Sequence, residues 1–217
     1  MFSFPTAVLL FSSALLARAA VTQADFSGLG NIHVLNSSDW RTVTLDQQVG
    51  CIDKHGNFIT GEDASECGVF YREPEYPWTL STDAGNCTFK DTTRERNTDS
   101  RYGKSTYAWS CTTPHEAIIY DELYTIDGFP EVFLCHGDIV CYYDAKRAPE
   151  GDEKLSLWQF KWGSGQRGIT PGHIQLLLLW KKIGDLPKRE GEKKTPGPRI
   201  ELHDGLQIPL QGEQAES

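Results

Sequence analysis

Ile174-Gln175-Leu176-Leu177-Leu178-Leu179-Trp180 is apolar on both of the faces that a β-strand presents. A surface strand alternates apolar with polar, so a segment of this kind belongs in the middle of a sheet that is covered on both sides. The stretch before it, Leu155 to Trp162, alternates only in part. There Trp158, Phe160 and Trp162 share one face, while Gln159 and Lys161 take the other. Working outward, further strand-like segments run over 42–45, 69–71, 87–89, 107–111, 123–126, 132–135 and 139–143. They are short, rich in β-branched and aromatic residues, and bounded by Gly, Pro, Asn and Asp. About nine short strands with no long amphipathic helix predict a mostly β fold, an antiparallel β-sandwich or barrel. One segment resists. Thr113-Pro114-His115-Glu116 carries the residues of a helix start, which predicts one short helix from Pro114 to about Glu122. Ala117-Ile118-Ile119-Tyr120 would serve equally well in a strand.

The first residues have a different purpose. An apolar run from Phe2 to Leu16 leads to Ala17-Arg18-Ala19, the small-x-small pattern of a signal peptidase site. Residues 1–19 are therefore expected to be a cleaved signal peptide, although no Lys or Arg precedes the apolar run. As a membrane anchor the run is short and broken by Pro5 and Ser12-Ser13. No later segment approaches the length of a span, so no membrane contact is expected after cleavage. Residues 20–184 then form a single secreted β domain. Residues 185–217 contain no cysteine or aromatic residue but four prolines and twelve charged side chains. Such a segment buries too little to offset its ordering entropy and is expected to be a flexible charged tail. Lys188-Arg189 at the junction is a candidate processing site.

All six cysteines follow the leader, and an even count in a secreted chain reads as three disulfides. Fifteen pairings are possible. The sequential set, Cys51–Cys67, Cys87–Cys111 and Cys135–Cys141, is preferred because each closes a short loop that contains turn residues. The spacing does not fit a zinc site, and neither a metal nor a cofactor is expected. Asn36-Ser37-Ser38 and Asn86-Cys87-Thr88 are glycosylation sequons, giving Asn36 and Asn86 as candidate acceptors. Net charge is −9, and loss of Arg18 makes it one unit more negative. No nucleic acid partner is expected of so acidic a chain.

Catalytic signatures are weak. None of the six histidines is paired at zinc spacing, and no nucleophile elbow or P-loop appears. Cys135-His136-Gly137-Asp138 could bring an imidazole and a carboxylate together on a tight loop; it reads equally as a polar turn. Asp121-Glu122, with Asp127 and Glu131 nearby, could supply the paired acids of a glycosidase. With 30 acidic residues in the chain, such neighbours also arise by chance. Tyr76 and Trp78 are more informative. They lie in Tyr71-Arg72-Glu73-Pro74-Glu75-Tyr76-Pro77-Trp78, a proline-stiffened loop. Flat rings on such a loop can stack on sugars or anchor a protein. The other tryptophans fall mostly within strand segments and read as core.

Cys51-Ile52-Asp53-Lys54-His55-Gly56-Asn57-Phe58, Cys67-Gly68-Val69-Phe70, Asn86-Cys87-Thr88-Phe89-Lys90-Asp91 and Tyr107-Ala108-Trp109-Ser110-Cys111 together resemble small cysteine-rich secreted proteins of filamentous fungi. Asp127-Gly128-Phe129-Pro130 through Gly168-Ile169-Thr170-Pro171-Gly172-His173 extends the resemblance over residues 45–183. It implies an extracellular, effector-like protein that acts by binding, and supplies no catalytic residue. The favoured expectation is a non-enzymatic extracellular protein whose partner is a wall polysaccharide or a foreign protein, held by Tyr76 and Trp78. The alternative is a secreted hydrolase, a glycosidase or nuclease, using His136 or Asp121 and Glu122.

Overall fold

The computed structural model describes residues 20–61, 63–74, 76, 78–112, 116–136, 141–161 and 165–186. The leader and the tail from residue 187 on, Lys188-Arg189 included, lie outside them, as do Thr113 to His115, Gly137, Asp138 and Trp162. Twelve strands occur among the described residues: β1 (Gly28–Leu35), β2 (Gln48–Ile52), β3 (Phe58–Ile59), β4 (Phe70–Arg72), β5 (Leu80–Thr82), β6 (Gly85–Thr88), β7 (Ser110–Thr112), β8 (Leu123–Tyr124), β9 (Cys135–His136), β10 (Tyr143–Ala145), β11 (Trp158–Gln159) and β12 (Ile174–Gly184). Ten of them join one curled antiparallel sheet, ordered β11-β10-β12-β1-β4-β5-β6-β7, with β2 and β3 attached beside β1. The other two, β8 and β9, pair with each other. The fold is therefore mostly antiparallel β, a half-barrel stapled by disulfides.

β12 is the central strand that its composition predicts. Leu176, Leu178 and Trp180 enter the main core with Ile32, Val34, Phe70, Trp109 and Tyr143. Leu177 and Leu179 face the other way, against Leu35, Val43 and Phe133. Its partner β1 runs antiparallel along it from Leu29↔Gly184 to Leu35↔Leu177. The opposite edge of β1 is shared, Gly28 to Gly30 pairing with β4 and His33 to Leu35 with β2. Gly30 is required there by packing: a Cβ at this position would lie 2.5 Å from the Trp180 indole. Trp180 also meets Phe26 edge-on at 5.1 Å.

Several sequence expectations shift. Residues 42–45 are not a strand; Val43 instead lies over the outer face of β1 and β12, and a 3₁₀ turn follows at Leu45–Gln47. The helix expected from Pro114 to Glu122 is reduced, within its described part, to a 3₁₀ turn at Ile119–Asp121. Ile118 and Ile119 are exposed, so this segment has no apolar face to bury that would hold a longer helix. The segment from 155 to 162 narrows to β11, with Leu155 bridging to Phe58. The bridges are Cys51–Cys67, Cys87–Cys111 and Cys135–Cys141. Cys87 and Cys111 are directly opposed partners on β6 and β7.

Candidate functional site

Tyr76 and Trp78 stand on the loop that joins β4 to β5. Glu73 N–H donates to the Thr79 carbonyl at 3.0 Å and closes the loop at its neck. The two rings meet edge to face at 5.4 Å, and remain 59% and 40% exposed. Trp78 has φ 50°, a left-handed backbone that residues other than glycine seldom adopt. The loop thus spends backbone strain to hold an indole in solvent, where burial does not reward it.

Trp78 is one wall of a groove of about 450 Å³. Phe26, Arg72, Pro74, Glu122 and Tyr124 line the rest, together with Gln23 and Glu73. The pairing Gly28↔Arg72 between β1 and β4 brings Phe26 to Arg72, whose guanidinium carbon lies 4.4 Å from the centre of the phenyl ring. Arg72 is only 3% exposed. Its Nη2 donates to the Leu123 carbonyl at 2.7 Å, but Nε and Nη1 are buried without an acceptor. Burial pulls its pKa down to about 10, against the attraction of Glu122 and then Glu73. Two orphaned donors on a buried cation are costly, and groups of this kind are usually satisfied by something.

A second cluster surrounds His136. β8 and β9 pair in the register Leu123↔His136, which carries Asp121 to the imidazole. Asp121 is 1% exposed; it accepts from Thr88 Oγ1 at 2.5 Å and from Ile118 N–H at 3.0 Å. The Phe89 ring meets the imidazole edge-on at 5.1 Å. Gln159 Nε2 donates to His136 Nδ1, so the neutral ring carries its proton on Nε2. Desolvation first, with Lys161 and Lys90 adding to it, lowers the His136 pKa to about 4; Asp121 and the Tyr120 carbonyl act against them. A ring in this state is a poor general base, because its lone pair is already engaged by Gln159. It is a poor general acid as well, being neutral at ordinary pH.

The remaining buried charges serve the scaffold. His173 bridges Asp99 and Asp144 at 3.3 and 3.5 Å, and Asp144 also accepts from Asn97 and Thr170. This network ties β10 to the flanking loops. A cleft of about 520 Å³ runs along the Cys51–Cys67 bridge to Lys154. Its buried acid, Asp53, is occupied by the N–H groups of His55 and Asn57. Among the described residues, no group of three or more His, Cys, Asp or Glu side chains comes together as a metal site.

Of the residues singled out by sequence, Tyr76 and Trp78 are brought together. Asp121 and Glu122 are not: Asp121 lies under His136, while Glu122 faces the Trp78 groove. Asp127 accepts from Gln23 N–H at 2.7 Å and so straps the start of the domain down. Asn36 is exposed just past the end of β1, and Asn86 lies on β6 opposite Thr112. Arg72, Tyr124, Gln159, Lys90 and Lys161 were not singled out, since each is isolated in sequence from its neighbours in space. No protein-family model, curated protein or solved structure matches the chain.

Proposed function

We propose that this chain is a secreted, non-enzymatic binding protein that takes an extracellular polysaccharide into the Trp78 groove. The observation that carries the reading is the meeting, in one groove, of the exposed Trp78 ring, met edge-on from outside by Tyr76, and Arg72, two of whose donors lack an acceptor. Sugar rings offer apolar C–H faces for an indole to stack on. Their hydroxyls both donate and accept, which suits a guanidinium flanked by the carboxylates of Glu73 and Glu122. The apolar leader and the three disulfides support an extracellular setting. Turnover is disfavoured because the acids proposed to work as a pair face different sites, and because the His136 lone pair is engaged.

The test is co-sedimentation of the purified protein with insoluble chitin, cellulose and β-glucan, beside the double variant Tyr76→Ala/Trp78→Ala. The expected result is retention on one polymer, weakened at least about tenfold in the variant, as for loss of a paired aromatic anchor. Retention on none would overturn the polysaccharide reading and leave a protein partner for the same rings.

A further inference from the structure

The charges that line the Trp78 groove are one guanidinium, Arg72, and two carboxylates, Glu73 and Glu122. Their placement follows from the strands. Arg72 Nη2 donates to the Leu123 carbonyl at 2.7 Å, which brings the start of β8 to the groove. Leu123 is buried in the core, so Glu122 and Tyr124 on either side of it turn the other way and join the lining. Among the described residues the Glu122 carboxylate accepts no hydrogen bond and enters no ion pair, although it attracts Arg72 through space. Arg72 for its part keeps two donors without an acceptor. The two opposite charges of one groove therefore do not satisfy each other. Trp78 and Tyr124 add two electron-rich rings to a lining in which acids outnumber the cation.

We propose, resting on the polysaccharide reading above, that the groove selects a sugar with a free amine, a 2-amino-2-deoxy hexose in its ammonium form, over the neutral sugar of the same linkage. An ammonium donates and never accepts, so it fits Glu122 and is refused by Arg72. The hydroxyl on the neighbouring carbon has the lone pairs that the guanidinium lacks. One sugar thus answers both groups at once, and its bond to Glu122 is charge-assisted where a hydroxyl's would be weaker. A uronate is disfavoured, because its carboxylate would meet two charges of its own sign.

The test is isothermal titration calorimetry of the full-length protein with three β-1,4-linked hexamers, of glucosamine, N-acetylglucosamine and glucose, which differ only at carbon 2. At about pH 6, where the amines are largely charged, the glucosamine hexamer should bind roughly tenfold tighter than the other two. At about pH 8.5, where the amines are largely neutral, the three should converge. The two hexamers without an amine report any titration of the protein itself, whose groups facing Glu122 in the groove are Arg72, Glu73 and Tyr124. Glu122→Gln should cut the preference to within about twofold, whereas Glu66→Gln, which removes the same charge from the cleft at the Cys51–Cys67 bridge, should leave it at about tenfold. Equal binding of the hexamers at pH 6, a preference that survives Glu122→Gln, or one that Glu66→Gln also abolishes would overturn selection of an amine. Binding of a neutral hexamer in that event would still uphold the polysaccharide reading. Binding of none of the three would overturn the amine proposal outright, and retention on the insoluble polymers then decides the polysaccharide reading by itself.

Discussion

His136 is neutral in the folded protein and would be charged in the unfolded chain over much of the mildly acidic range. The unfolded ring takes its proton near pH 6.5, and the folded one only at about pH 4. Stability from this residue is therefore intact above pH 6.5 and is lost as pH falls through that window, by roughly 3 kcal/mol at about 1.4 kcal/mol per pKa unit. Asp144 works in the opposite direction: burial raises its pKa, so the folded state takes up that proton first and gains as pH falls. Comparing urea midpoints of the wild type and His136→Gln at pH 7 and pH 4.5 separates the two. The variant should lose much less stability between them; an equal loss would show that His136 does not set the acid sensitivity. Legibility at this scale follows from how local a residue's surroundings are. Tyr76 and Trp78 stand out in the sequence because prolines beside them stiffen one loop. Arg72 does not, because its isolation as a buried cation depends on Phe26 and Leu123, and these reach it only through strand pairing. His136 stands out in the sequence beside Asp138, which lies outside the described residues; among those described, Asp121 is a carboxylate beside the ring, and the sequence does not announce it.

Among the elements, β12 was legible and its partner β1 was not, for a single physical reason. The four leucines of β12 need cover on both sides, and such a demand is visible in the sequence itself. In β1, Gly28, Gly30 and Asn31 resemble a turn. The reason for Gly30 lies about 150 residues away, in the bulk of Trp180, which occupies the space of the missing side chain. Gly30→Ala should accordingly destabilise the protein by about 1–3 kcal/mol, the usual range for overpacking, and alter the near-UV circular dichroism of the indole. Gly168→Ala is the matched control, since a Cβ there meets nothing within 4 Å. A Gly30→Ala variant as stable as Gly168→Ala would show that the indole yields freely. The segment 42–45 failed as a strand for the converse reason: its pattern fits a ladder, but Val43 is used as a lid over Leu35 and Leu179.

For the molecule as a whole, the three bridges are local in sequence, spanning 16, 24 and 6 residues. In the chain-entropy model, loops of these sizes contribute about 3, 3 and 2 kcal/mol by restraining the unfolded chain. Together they match the net stability of many domains, so complete reduction should unfold the protein near room temperature. Far-UV circular dichroism in the presence of a phosphine reductant checks this; a native spectrum after full reduction, verified by thiol counting, would refute it. Long-range order is left to the shared core and to strand pairing, above all to the β1–β12 ladder that joins the two extremes of the domain. That ladder is antiparallel, so the beginning of β1 and the end of β12 meet at the same end, Leu29 opposite Gly184. A mechanical load applied through these two points would act along the hydrogen bonds rather than along the strands. The rungs would then take the force one at a time, and the ladder would open like a zip from Leu29–Gly184 toward Leu35–Leu177 rather than resist as a shear clamp.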